Sequence, residues 1–169
     1  MSSQAPASTL RGELVVMGLT AAAILVADQV TKALVVASIG LGQRVSVLGD
    51  LVWLWHVRNE GAAFSLFQGG QVLFYLVTIL ALAMLVYFSR ALRGRSPLLH
   101  VVLGMILGGT LGNLADRVRL GYVVDFISVG IGTLRWPTWN VADASLVTGI
   151  VVLVVYLTFF DHPRPEVSA

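Results

Sequence analysis

Residues 14–37 read LVVMGLTAAAILVADQVTKALVVA, an apolar run interrupted only by Asp28, Gln29, Thr31 and Lys32. A bilayer core of about 30 Å needs roughly 20 mostly apolar residues to be crossed as a helix. This stretch is long enough, and three more match it: residues 72–88, ending at Ser89-Arg90; residues 98–114, starting just after Pro97; and residues 141–160, stopping at Asp161-His162-Pro163. The expectation is a membrane all-α fold of four transmembrane helices, with both termini on one side. Composition agrees. Of 169 residues, 57% are hydrophobic and 12% charged, whereas soluble domains carry about 25% charged residues. A water-bathed globular domain and a disordered chain are both excluded, the latter because disorder needs polar, charged sequence. A net charge of +2, scattered along the chain, gives no basis for binding nucleic acid. Cysteine is absent, which removes disulfides, thiolate metal sites and Cys nucleophiles. No repeat, low-complexity tract or linker divides the sequence, so residues 1–169 read as one membrane-embedded domain.

Orientation follows the distribution of arginine. The link 90–97 holds Arg90, Arg93 and Arg95, while Arg11 and Arg164 flank the chain ends. The connections 38–71 and 115–140 hold Arg44, Arg58, Arg117, Arg119 and Arg135. The raw totals tie. Density favours the short link, which places it and both termini in the cytoplasm. The first helix is read as retained, because its apolar run passes through an Asp and a Lys that a cleaved signal does not need.

The outer connections carry pattern of their own. From Arg44 to Arg58 the odd positions Val45, Val47, Leu51, Trp53, Trp55 and Val57 are apolar, and several even ones are polar. That is strand periodicity, and Gly49-Asp50 offers a two-residue hairpin turn. Trp53, Trp55, Trp136 and Trp139 suit the membrane–water boundary, where amphipathic rings settle. A small extracytoplasmic β-hairpin or sheet over about residues 43–58 is therefore expected.

Ionisable groups at membrane depth are costly and suggest function. Asp28 and Lys32 share a helical face at spacing four, as an orienting ion pair or as part of a site. Gly104, Gly108 and Gly112 form a stripe that admits a neighbouring helix and ends on Asp116. Asn113, Asp116 and Arg117 then fall within one turn, which suggests a buried Asp–Arg network. Asp125 stands in Gly121-Tyr122-Val123-Val124-Asp125-Phe126-Ile127, with no basic neighbour in sequence. Asp143 follows Asn140 by three residues, where a capping box would place an acid at the start of the last helix. Asp125 and Asp143 can meet if residues 128–138 fold back. Two carboxylates in one desolvated site share a proton, as acid–base hydrolysis requires. They could equally line a proton or cation path.

Other chemistries lack their parts. His56, His100 and His162 are dispersed and no HExxH occurs, so no metal site is expected. Ser65, Ser128 and Ser145 lack a GxSxG setting, and no P-loop lysine follows the glycines of the third helix.

Five segments together have a familiar order: Asp28-Gln29-Val30-Thr31-Lys32; Asn59-Glu60-Gly61-Ala62-Ala63-Phe64-Ser65; Gly108-Gly109-Thr110-Leu111-Gly112-Asn113-Leu114-Ala115-Asp116-Arg117; Val123-Val124-Asp125-Phe126; and Asn140-Val141-Ala142-Asp143-Ala144-Ser145. Over residues 14–160 the sequence resembles the bacterial lipoprotein signal peptidases (signal peptidase II), intramembrane aspartyl peptidases of four helices. The resemblance implies an aspartic endopeptidase of the bacterial cytoplasmic (inner) membrane. It would remove the signal peptide of diacylglyceryl-modified prolipoproteins, cutting on the amino side of the lipidated Cys near the outer face. Asp125 and Asp143 would be catalytic. Asp28, Lys32, Asn59, Gly61, Asn113, Asp116, Arg117 and Asn140 would line or support the site, and the hairpin would be the family's extracytoplasmic β-cradle. Glu60 departs from the small polar residue common in the family. The implied partners are the prolipoprotein and membrane lipid, for a monomer that needs neither metal nor organic cofactor.

Two rivals remain on the sequence. A small proton- or cation-coupled transporter would use Asp28, Asp116, Asp125 and Asp143 as relay sites, but these acids gather toward one face and the second helix has none. An assembly role for the glycine stripe would leave the paired acids unexplained.

Overall fold

A computed structural model of the chain describes residues 7–61 and 70–160. In chain order its elements are α1 (Ala7–Ser38), β1 (Arg44–Leu48), β2 (Val52–Asn59), α2 (Gly70–Ala91), α3 (Pro97–Leu120), β3 (Val123–Ile131), β4 (Leu134–Arg135) and α4 (Val141–Phe159). Residues 62–65 of the second motif, and everything from Asp161 onward, lie outside the described residues.

The four helices are each long and apolar enough to cross a membrane, over Leu10–Ser38, Val72–Ala91, Pro97–Leu120 and Val141–Phe159. The chain is a multi-pass membrane protein. Its outward faces remain apolar, with Leu19, Val26, Ile79 and Val154 all exposed, as lipid-facing surface must be.

Helix α3 is the most enclosed of the four and packs mainly on α1 and α4. The glycine stripe faces α1. A Cβ on Gly104 would fall 2.7 Å from the Met17 carbonyl oxygen, and one on Gly108 2.7 Å from that of Ala21. One on Gly112 would fall 2.7 Å from Asp28 Oδ2. Backbone-to-backbone approach of this kind replaces the hydrophobic drive that lipid cannot supply. Helix α3 also runs past the sequence estimate of residue 114 to Leu120. Gly121, at φ 82°, stops it in the left-handed conformation that glycine tolerates. Within its last turns Asp116 is buried against protein, while Val118 and Leu120 stay exposed.

Near the α2–α3 turn, Leu85, Leu92, Leu99, Val102, Leu103, Ile106 and Leu153 form an apolar core. At the opposite end Val35, Ile39 and Phe126 pack beneath a four-stranded antiparallel sheet of order β1-β2-β3-β4. The sheet is larger than the hairpin read from sequence. The β1–β2 connection also differs, since Gly49, Asp50 and Leu51 form a three-residue turn rather than a two-residue one. Leu51 N–H closes it on Leu48 O at 3.0 Å, and the register shifts between Ser46 and Leu48. After β4 the chain folds back on β3. Phe126 and Ile127 both donate their N–H to Trp139 O, at 3.0 and 2.7 Å, and Trp139 N–H returns to Ile127 O. This return carries Asn140 and the start of α4 alongside Asp125.

Candidate active site

The site is assembled where α1, α3 and α4 meet the sheet. Asn140 caps α4 by accepting Asp143 N–H on its side-chain oxygen at 2.9 Å. Asp143 Oδ2 accepts Asn140 N–H in return at 3.3 Å, so the capping box expected from sequence is present. That does not use up Asn140. Its Nδ2 donates to Asp125 Oδ1 at 2.7 Å and to Asn113 Oδ1 at 3.2 Å. One fully buried residue thus bridges both candidate carboxylates.

Asn113 completes the bridge from α3. Its Nδ2 donates to Asp143 Oδ1 at 2.7 Å, while its Oδ1 accepts from Asn140 and from Lys32 Nζ, the latter at 3.2 Å. The ammonium forces the amide's orientation, since only an oxygen can face it. Asn59, the last residue of β2, donates Nδ2 to Asp125 Oδ2 at 2.9 Å.

Behind this layer lies a buried ionic cluster. Lys32 Nζ is 2.8 Å from Asp28 Oδ2 and 2.9 Å from Asp116 Oδ2, all three side chains being almost fully enclosed. The cation that pairs with Asp116 is therefore Lys32 and not Arg117, which corrects the Asp–Arg network expected from sequence. Consecutive residues of a helix do not face each other, so Arg117 points away from Asp116 while Lys32 reaches it from the helix pressed against the glycine stripe. Arg117 instead donates Nη1 to Asn113 O at 3.3 Å and stacks on Phe74, 4.3 Å from the ring centroid.

The cluster's oxygens also anchor backbone. Asp28 Oδ1 accepts Ala142 N–H at 2.9 Å, one of the free amides in the first turn of α4, where a negative charge is also favoured by the positive end of the helix dipole. Asp116 Oδ2 accepts Val124 N–H at 3.1 Å and so fixes β3 beside Asp125. Gln29, outside the sequence-derived site residues, donates to Asp116 Oδ1 at 3.0 Å and accepts from Arg119 at 2.9 Å. Its position one residue after Asp28 gave no periodic signal for that role. Gly61 adopts φ 76° and donates its N–H to Asn59 Oδ1 at 2.9 Å. All ten sequence-derived residues lie within one connected network.

Asp125, on β3, is only 2% exposed. Burial first, then the Asp143 carboxylate, push its carboxyl up to about 6, while the Asn59 and Asn140 amides and the Lys32 charge pull it back. Asp143 is the ionisable residue on the wall of a cleft of about 490 Å³, whose other sides include Trp136, Trp139, Ala144 and Val147. Two coupled carboxylates, one beside an apolar cleft, can store and release a proton near neutral pH. Among the described residues no group of three His, Cys, Asp or Glu is placed to hold a metal ion.

Residues 20–159 match the family described as Signal peptidase (SPase) II. The chain belongs to the signal peptidase II family. Among relatives, the lipoprotein signal peptidase of Geobacillus kaustophilus (strain HTA426) is 41% identical over 144 residues, covering 85% of this chain and 94% of that protein. The lipoprotein signal peptidase of Listeria monocytogenes serovar 1/2a (strain ATCC BAA-679 / EGD-e) is 37% identical over 140 residues, covering 83% and 91%. A solved structure described as "Bacterial membrane enzyme structure by the in meso method at 1.9 A resolution" superposes with a TM-score of 0.75 at 32% identity, over 85% of this chain and 92% of that one. These likenesses support a peptidase and lend nothing to the transporter. The fold of four helices and a small sheet is thus shared with a solved bacterial membrane enzyme.

Proposed function

We propose that this protein is an aspartic endopeptidase that removes the signal peptide from prolipoproteins carrying a diacylglyceryl-modified Cys. The observation that carries the aspartic assignment is the bridging of Asp125 and Asp143 by Asn140. In this reading a water between the carboxylates attacks the carbonyl on the amino side of the lipidated Cys. Asp143 takes the water's proton, and Asp125 gives its own to the carbonyl oxygen. The tetrahedral intermediate then collapses. The C–N bond breaks, Asp143 protonates the departing amine, and Asp125 recovers its proton. Asn113 and Asn140 hold the carboxylates, Asn59 and Gly61 hold the Asp125 side, and Asp28, Lys32, Asp116 and Arg117 support them. The reaction calls for no metal or organic cofactor.

In this reading the enzyme works in the bacterial cytoplasmic membrane as a monomeric single domain, with both termini inside and the site near the outer face, as the arginine density of the loops favours. Acyl chains of the substrate would remain in lipid while its peptide reaches the sheet. Incubation of purified enzyme with a diacylglyceryl-modified prolipoprotein and its unlipidated twin tests the proposal. Cleavage of the lipidated form alone is expected, and equal cleavage of both would overturn the substrate assignment.

A further inference from the structure

We infer that Phe74 is a positioning residue for this reaction: its ring aims the Arg117 guanidinium at the Asp125–Asp143 pair and is itself seated on the bare backbone of Gly61. The inference rests on the reading of those carboxylates proposed above.

Arg117 Cζ lies 4.3 Å from the centroid of the Phe74 ring, within the reach of a cation–π contact. The charge of Arg117 interacts electrostatically with Asp143, Asp125 and Asp116. Lys32 is the second cation of this cluster and is already held by Asp28 and Asp116. A guanidinium carries five N–H donors in a rigid plane, and Nη1 is bound to Asn113 O. Stacking fixes the plane of the fork, which a single hydrogen bond to a carbonyl does not.

The ring also lies against Gly61. A Cβ built there would run into Cε2 and Cζ of Phe74, so any side chain at this position would displace the ring. Gly61 is further tied to Asn59 Oδ1, and Asn59 Nδ2 to Asp125 Oδ2. One ring therefore touches two arms of the site, Gly61–Asn59–Asp125 on the sheet side and Arg117 on the α3 side. Aliphatic side chains can fill much of the same space but lack the ring quadrupole that orients a cation.

The test uses the full-length protein in detergent and reads Arg117 directly. Phenylglyoxal labelling, resolved by peptide mass spectrometry, is compared in wild type and Phe74→Leu, with Arg44 and Arg119 as internal references. Labelling of Arg117 should rise about tenfold, between the exposed and the fully desolvated strength of a cation–π contact, with the references unchanged. Cleavage by Phe74→Leu should fall about tenfold in kcat with KM little altered, matching Arg117→Lys. The double variant should be no worse than Arg117→Lys alone, because both changes undo one arrangement. Unchanged labelling, or losses that multiply in the double variant, would overturn the inference. Should Phe74→Leu fail to fold, Phe74→Met carries the same comparison. Full cleavage by Asp125→Asn would sink the dyad, yet the labelling would still decide the role of Phe74.

Discussion

Lys32 on α1 and Asp116 on α3 form an ion pair of 2.9 Å that is shut off from solvent, and the same ammonium holds Asp28 at 2.8 Å. One positive charge thus serves two buried carboxylates, each of which also accepts a backbone N–H from another element. The cluster ties α1, α3, β3 and α4 together immediately behind Asp125 and Asp143.

Removing one member of such a cluster leaves the rest uncompensated, at roughly 3–5 kcal/mol. Asp116→Ala should therefore lower the melting temperature in detergent, and activity should fall through misassembly because Val124 N–H loses its acceptor. Lys32→Met should do at least as much harm, since it strands two carboxylates. Melting curves beside activity assays decide the matter. An Asp116→Ala protein that melts like the parent yet is inactive would make its role chemical.

The dyad itself should behave differently. Asp125→Asn and Asp143→Asn keep the shape of each side chain but cannot exchange the proton, so both should abolish cleavage in folded, membrane-inserted protein. Robust turnover by either would remove that residue from the catalytic assignment.

Asp125 should also leave a mark on stability as a function of pH. Its carboxyl is raised to about 6 from 3.8, so the folded state binds this proton more tightly than the unfolded state does. The contribution is fully present below pH 3.8 and is lost as pH rises through about 6, a swing on the order of 3 kcal/mol. Relative to Asp125→Asn, wild type should gain melting temperature as pH falls from 7.5 toward 4. A difference that stays flat with pH would show that Asp125 is not held in this way.

Much of this architecture is legible without coordinates, and the exceptions have physical causes. Runs of apolar residues near the length of a bilayer reveal all four spans. Val123–Ile131 hides as a strand, because its first four residues are all buried and so lack polar alternation. Helix α3 outruns its apolar stretch because Asp116 and Arg117 look like an aqueous end yet face protein. The Asn140–Asp143 box is local and therefore readable. The bridges from Asn113 to Asp143 and from Asn59 to Asp125 span 30 and 66 positions, and only the family resemblance brought those residues into one group. Phe74 stayed hidden as one aromatic among many lipid-compatible residues.

The proposed topology can be checked by cysteine labelling, which suits a chain with no native cysteine. A cysteine at Gly94, in the arginine-rich α2–α3 turn, should be protected from an impermeant reagent in intact cells. Cysteines at Gly49 and Thr133, in turns of the sheet, should react. Labelling at Gly94 from outside would invert the orientation drawn from arginine density.

The glycine stripe offers a test in which packing and chemistry meet at a single atom. A methyl group on Gly112 would sit 2.7 Å from Asp28 Oδ2 and 3.1 Å from the Ala142 Cβ. Asp28 Oδ2 is the oxygen paired with Lys32, so the helices cannot part at this point without stretching the ion pair. Overpacking of this kind costs about 1–3 kcal/mol. Gly12→Ala, on α1 with nothing within 4 Å of its Cβ, should be neutral or slightly stabilising through helix propensity. Gly112→Ala should then lower both melting temperature and cleavage, while Gly12→Ala changes neither appreciably. If Gly112→Ala melted and cleaved like the parent, α1 and α3 would not be in the close contact that sets Lys32 against Asn113, and the support drawn here for Asp143 would fail with it.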